Sequence, residues 1–119
     1  MDESVLAWAE TTLQQVNRKL ASELQRLNGA IPYIPYDGWY SDGARGRGLD
    51  GWTNGFWGGL RWQMWRETKK MPYRRAAVAL EQRLDGALAA FDDINHDVGF
   101  IWLLTAVAHF RLTGDQKAW

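Results

Sequence analysis

The chain of 119 residues has no cysteine, so neither a disulfide framework nor a thiolate metal site can be built from it, and an intracellular setting is expected. It lacks an excess of either charge, because fourteen Lys and Arg face fourteen Asp and Glu. Nucleic acid and anionic membrane surfaces select surplus positive charge, so neither is an expected partner. No apolar run approaches the roughly 18 residues of a membrane span. The start, Met1-Asp2-Glu3-Ser4, offers neither the basic nor the apolar region of an export signal. These absences together predict a cytoplasmic protein. HExxH and GxSxG are missing, and a cysteine nucleophile is excluded. What the chain does have is tryptophan: eight, more than packing alone requires in so short a chain.

Apolar periodicity predicts an all-α fold. Val5, Ala9, Leu13, Val16, Leu20, Leu24 and Leu27 recur at spacings of three and four, drawing one stripe along a helix over 4–28 that Asn28-Gly29 should stop. Residues 29–51 form a loop rich in glycine and aromatics, broken by Pro32 and Pro35 and long enough to be functional. A second helix is expected over 53–68, capped by Thr53 or Asn54 and buried through Phe56, Trp57, Leu60 and Met64. Pro72 marks the first turn of a third, over 72–91, carrying Tyr73, Ala77, Leu80, Leu84, Leu88 and Phe91. Asp92-Asp93-Ile94-Asn95-His96 should connect it to a fourth over 98–112, with Asp97 as cap, and Asp115 should cap a fifth.

A faint repeat organises these helices. Gly55-Phe56-Trp57 returns as Gly99-Phe100-Ile101-Trp102, and both Trp57 to Trp102 and Thr68 to Thr113 are 45 residues apart. That period is one of a helical hairpin stacked on copies of itself, whose apolar surface is covered only by neighbours. Self-association through the open helical face is therefore expected.

In such a stack the second and fourth helices start on the same face. Asp50-Gly51-Trp52-Thr53-Asn54-Gly55-Phe56-Trp57-Gly58-Gly59 and Asn95-His96-Asp97-Val98-Gly99-Phe100 both combine polar groups, aromatics and glycines. Tryptophan offers a flat apolar face to the C–H side of a sugar ring. Each residue also has a purely structural reading: Asp97 as an N-cap, His96 as a loop residue, Trp52 and Trp57 as core, Gly58-Gly59 as packing. His109, within a helix beside Phe110, reads as structural.

Three segments carry a family resemblance: Trp52 to Leu60, His96 to Phe100, and Phe110-Arg111-Leu112-Thr113-Gly114-Asp115. In this order and spacing the chain resembles the unsaturated glucuronyl hydrolases of glycoside hydrolase family 88 and the related unsaturated rhamnogalacturonyl hydrolases of family 105. The resemblance implies an (α/α)6 barrel of six hairpins, of which residues 1–119 would be the N-terminal part. It implies oligosaccharide substrates with a 4,5-unsaturated uronic acid at the non-reducing end, and no metal or organic cofactor. The reaction implied is protonation of the enol-ether double bond, addition of water at the adjacent carbon, and collapse of the hemiketal with release of the remaining sugar. Asp97 matches one of two essential aspartates, Trp52 the aromatic at the sugar subsite, and His96 its motif neighbour, with Trp57 a further expected substrate contact. The second aspartate matches nothing in these 119 residues, so the isolated chain is expected to be inactive. A small helical-repeat interaction module is the alternative reading.

Overall fold

A computed structural model describes residues 2–90 and 95–118. The expected helix end at Phe91, the connector residues Asp92, Asp93 and Ile94, and Trp119 lie outside the described residues. Helices dominate the chain: α1 (Glu3–Leu27), α2 (Gly43–Arg47), α3 (Asn54–Thr68), α4 (Met71–Ala90), α5 (Val98–Trp102) and α6 (Ala106–Thr113), with a closing 3₁₀ turn at Gln116–Ala118. The fold is all-α, as the periodicity predicts.

The long loop departs from expectation. Between α1 and α2 it forms a two-stranded antiparallel hairpin, β1 (Pro35–Tyr36) and β2 (Trp39–Tyr40), pairing Pro35 with Tyr40 and Tyr36 with Trp39. Asp37 and Gly38 turn it with positive φ at both positions, the geometry that suits Asp-Gly in a two-residue hairpin. Asp42 ties the loop down. Its carboxylate accepts from the N–H groups of Ile31 and Ala44 and from the Arg83 guanidinium of α4. Burial alone would raise the Asp42 carboxyl, but these donors outweigh it and hold it below 3.8, its ordinary value. A depressed folded-state pKa adds stability above the unfolded value, and that stability is lost as pH falls through 3.8 and below. Asp42→Ala should therefore cost about 1–3 kcal/mol at neutral pH and less in acid. Chemical denaturation of both proteins at pH 7 and pH 3 checks this, and an equal difference at the two pH values would contradict it.

Helices α3 and α4 form an antiparallel hairpin across the turn at Lys69-Lys70. Phe56 and Leu60, expected in the core, are instead exposed. The buried side of α3 carries Gly55, Trp57, Gly58, Arg61, Trp62 and Met64. The glycines account for the rotation: Gly55 and Gly58 lack the Cβ atoms that would meet Phe100 and Thr105, so the bare stripe admits α5 and α6 to close range. Successive contacts (Gly55 with Phe100 and Ile101, Gly58 with Thr105) show that α3 runs parallel to α5 and α6, as alternate members of a hairpin stack must.

The expected fourth helix is broken into α5 and α6. Thr105 leaves the helical region (φ −111°, ψ −92°) and its hydroxyl donates to the Ile101 carbonyl at 2.7 Å. Thr105 is also the residue seated on Gly58, and a threonine hydroxyl competes with the helical ladder for that carbonyl. The repeat is visible at the helix ends. The Thr68 hydroxyl donates to Met64 O and accepts from the Lys70 N–H; forty-five residues later Thr113 does the same with His109 O and the Asp115 N–H.

A buried polar network crosses the stack. The Trp62 indole N–H donates to Glu81 Oε1 at 2.6 Å, and Glu81 Oε2 lies 2.8 Å from His109 Nδ1. The His109 ring stacks on Trp62, their centroids 4.4 Å apart. Burial pushes the Glu81 carboxyl above its usual range, only partly opposed by the Trp62 and His109 hydrogen bonds. His109 thus links α6 to α3 and α4, in keeping with its structural reading.

Helix α1 meets the rest chiefly at its C-terminal end. Leu27 joins the core with Leu20 and Leu24 beside it, and the Tyr73 hydroxyl bonds Asn17. The outer part of its apolar stripe stays exposed at Val5, Leu13 and Val16, with Trp8 beside it at 67%. Large apolar side chains are also exposed in the loop that follows, at Ile34, Tyr36 and Trp39, and on the later helices at Phe56, Leu60, Phe100 and Leu103. Among the described residues no helix is long and apolar enough to cross a membrane.

Candidate functional site

The starts of α3 and α5 meet at one end of the stack. Asn54, expected as a cap, is the first residue of α3, and its side-chain amide donates to the carbonyls of Gly48 and Leu49 at 3.1 Å each. This buried tether fixes the entry of the loop and, two residues earlier, the position of Trp52. On the α5 side Asn95 Oδ1 accepts the Asp97 N–H at 2.9 Å, and Asn95 O accepts that of Val98. Asp97 O in turn accepts the N–H of Phe100 at 2.9 Å.

Trp52, Phe56 and Phe100 form an open aromatic cluster. The Trp52 ring centroid is 5.5 Å from that of Phe100 and 5.8 Å from that of Phe56, and the two phenyl rings stack at 5.9 Å. All three are more than 40% exposed, so their faces form a surface rather than a core. Trp52 and Asp97 lie on the same end of the stack, joined through Phe100.

The Asp97 carboxylate makes no bond to the N-terminal amides of α5, so it is not acting as a side-chain cap. It is partly exposed, and Oδ1 lies 3.6 Å from Nε2 of His96, whose own ring is 90% exposed. A partly solvated carboxylate with an imidazole at its edge is equipped to exchange protons with a bound molecule. The adjoining aromatic faces suit the apolar side of a sugar ring.

Trp57 has a different place. It is 7% exposed, belongs to the apolar core and carries the Arg61 guanidinium over its ring at 4.7 Å. The structure brings Trp52, His96 and Asp97 to one end but seats Trp57 in the interior, where the packing reading fits it. Arg61 is itself buried and donates to Ala76 O at 2.7 Å. Desolvation, aided by nearby Arg83, lowers its pKa to about 10. Phe56 was expected in the core and Phe100 only as part of a motif; their exposure and stacking reveal them as members of the platform. Among the described residues no three His, Asp or Glu side chains converge as a metal site would require.

An all-helical hairpin stack presenting a carboxylate and an aromatic platform at one end is the class of architecture defined here. The chain is similar to the unsaturated glucuronyl hydrolase of Bacillus sp. (strain GL1), 29% identical over 102 residues, or 82% of this chain and 26% of the relative. It is similar also to the unsaturated chondroitin disaccharide hydrolase of Streptococcus agalactiae serotype III (strain NEM316), 30% identical over 71 residues, covering 56% of this chain and 17% of that one. The match thus spans 26% of the length of one curated relative and 17% of the other. No family model matches, and no solved structure matches.

Proposed function

We propose that this chain is the N-terminal part of an (α/α)6-barrel glycoside hydrolase acting on oligosaccharides that end in a 4,5-unsaturated uronic acid. The observation that carries the reading is the exposed Trp52–Phe56–Phe100 surface together with the uncapped carboxylate of Asp97, whose backbone carbonyl accepts from the Phe100 N–H. The similarity to two hydrolases named for unsaturated sugars supports it. In this reading Trp52 stacks on the unsaturated ring. Asp97 exchanges a proton during hydration of the enol ether, and His96 lies beside that carboxylate at the rim. Water adds to the double-bond carbon that bears the ring oxygen and the carboxylate, the hemiketal so formed opens to a ketone, and the hemiacetal left at the anomeric carbon then releases the remaining sugar. A second carboxylate from elsewhere in the complete barrel shares the proton transfers, so the 119 residues alone are expected to be inactive.

The test is a chimera in which this chain replaces the matching segment of the Bacillus relative. Its turnover of an unsaturated disaccharide is followed as loss of the double-bond absorbance. Turnover is expected. A chimera that melts cooperatively, and so is folded, yet leaves the absorbance unchanged would sink the reading.

A further inference from the structure

A cavity of about 450 Å³ opens between the C-terminal end of α1, α3 and α4. Three arginines line it, Arg61 from α3 and Arg75 and Arg83 from α4, and among its described lining residues none is acidic. Leu24, Pro72 and Ala79 give it an apolar wall. The three cations are held differently. Arg83 donates to Gly29 O and to Asp42 Oδ2, which fixes it and offsets one charge. Arg61 is only 4% exposed, its guanidinium lying over the Trp57 ring and donating to Ala76 O. Arg75 stands exposed on α4. Neither Arg61 nor Arg75 has an ion-pair partner among the described residues.

A buried guanidinium with no counter-ion carries the desolvation cost of its charge without the attraction that offsets it. The cost shows in Arg61, whose pKa falls to about 10 through desolvation and the charge of Arg83. An anion in the cavity would lower that cost, because charges in so dehydrated a setting interact through a low effective dielectric. Contact falls to Arg75, whose free fork can take both oxygens of a carboxylate side by side, while Arg61 acts from beneath as charge alone. A bare ion would leave the apolar wall unused, and the volume falls within the roughly 300–1,000 Å³ of small-molecule sites. We infer that this cavity binds a small organic acid, with its carboxylate at Arg75 and Arg83 and its hydrocarbon body against Leu24, Pro72 and Ala79. None of Asp97, His96 or Trp52 lines it, so this reading stands apart from the hydrolytic one.

The probe is benzoate, titrated into the intact chain while the Arg75 and Arg83 Nε–H resonances are followed by ¹H–¹⁵N NMR. Each resonance is assigned by its loss in Arg75→Gln or Arg83→Gln. A saturable shift of both is expected. Arg75→Gln changes an exposed side chain that pairs with no carboxylate among the described residues, so the variant should fold. Read at Arg83, it should weaken binding by about tenfold or more, the scale of losing a charge-assisted hydrogen bond. Arg74→Gln is the control. That guanidinium lies 5.5 Å from the Trp65 ring centroid and does not line the cavity, so its loss should change the affinity by less than about twofold. Benzyl alcohol, with the same ring and no charge, should not saturate over the same range. The proposal is overturned if the Arg83 resonance does not move, or if Arg75→Gln and Arg74→Gln weaken binding equally. It is overturned also if benzyl alcohol binds as tightly as benzoate, or if inorganic sulfate binds more tightly.

Discussion

Gly55→Ala is expected to destabilise the chain by about 3 kcal/mol or more, a fall in melting temperature of roughly 10 °C or more for a chain of this size. A Cβ on Gly55 would sit 2.1 Å from Phe100 O, 2.6 Å from Ile101 Cα and 2.9 Å from Ile101 O. All three are backbone atoms, so no side chain can swing aside; α5 itself must retreat from α3. That retreat would carry Phe100 away from Trp52 and Asp97 away from the aromatic surface, so stability and site geometry should fail together. The control is Gly86→Ala on α4, where the new Cβ would meet only Leu49 Cδ1 at 3.7 Å, an ordinary contact. There the loss of glycine in mid-helix should add about 0.5–1 kcal/mol. Thermal melts of the two variants should shift in opposite directions; two small shifts of the same sign would mean that α3 and α5 do not touch at Gly55.

The contrast between these glycines shows what was legible in the sequence. Helix existence was legible because it rests on local periodicity: Tyr73, Ala77, Leu80 and Leu84 are buried in α4 as their spacing predicts. Which face of α3 turns inward was not, because apolarity favoured Phe56 and Leu60 while the outcome depended on how closely another helix could approach Gly55 and Gly58. The break at Thr105 has the same origin, since nothing local to Leu103–Thr105 says that a glycine forty-seven positions earlier will receive the threonine. The hairpin at Asp37-Gly38 was not among the expected elements, although an Asp-Gly pair between aromatic residues is a strong short-range turn signal. The anchoring of that loop was not legible, because Asp42 joins groups eleven and forty-one residues away. The candidate site divides along the same line. Trp52 and Trp57 stand at one helix entrance with the same residue type, and only packing separates the exposed ring from the buried one.

Asp97→Asn is expected to lower turnover of an unsaturated disaccharide by about 100-fold or more in the chimera, the scale of losing an acid–base group. The substitution keeps the size of the side chain and removes only the titratable oxygen. Because the carboxylate makes no bond to the α5 amides, exchanging it for an amide should change stability by no more than about 0.5 kcal/mol. Loss of turnover without loss of stability would place the effect in the chemistry rather than in the fold. Trp52→Ala should behave differently. It removes a stacking face used by bound substrate and transition state alike, so it should raise KM by more than it lowers kcat. His96→Ala should have the smallest effect of the three, since its ring is 90% exposed and 3.6 Å from the Asp97 carboxylate. If the Asn variant turned over substrate at a near-normal rate, Asp97 would return to a structural role in the α5 turn, and the proton donor would have to be sought elsewhere in the barrel. If it lost both turnover and its cooperative melt, the carboxylate would be holding the turn, a role its present hydrogen bonds do not give it.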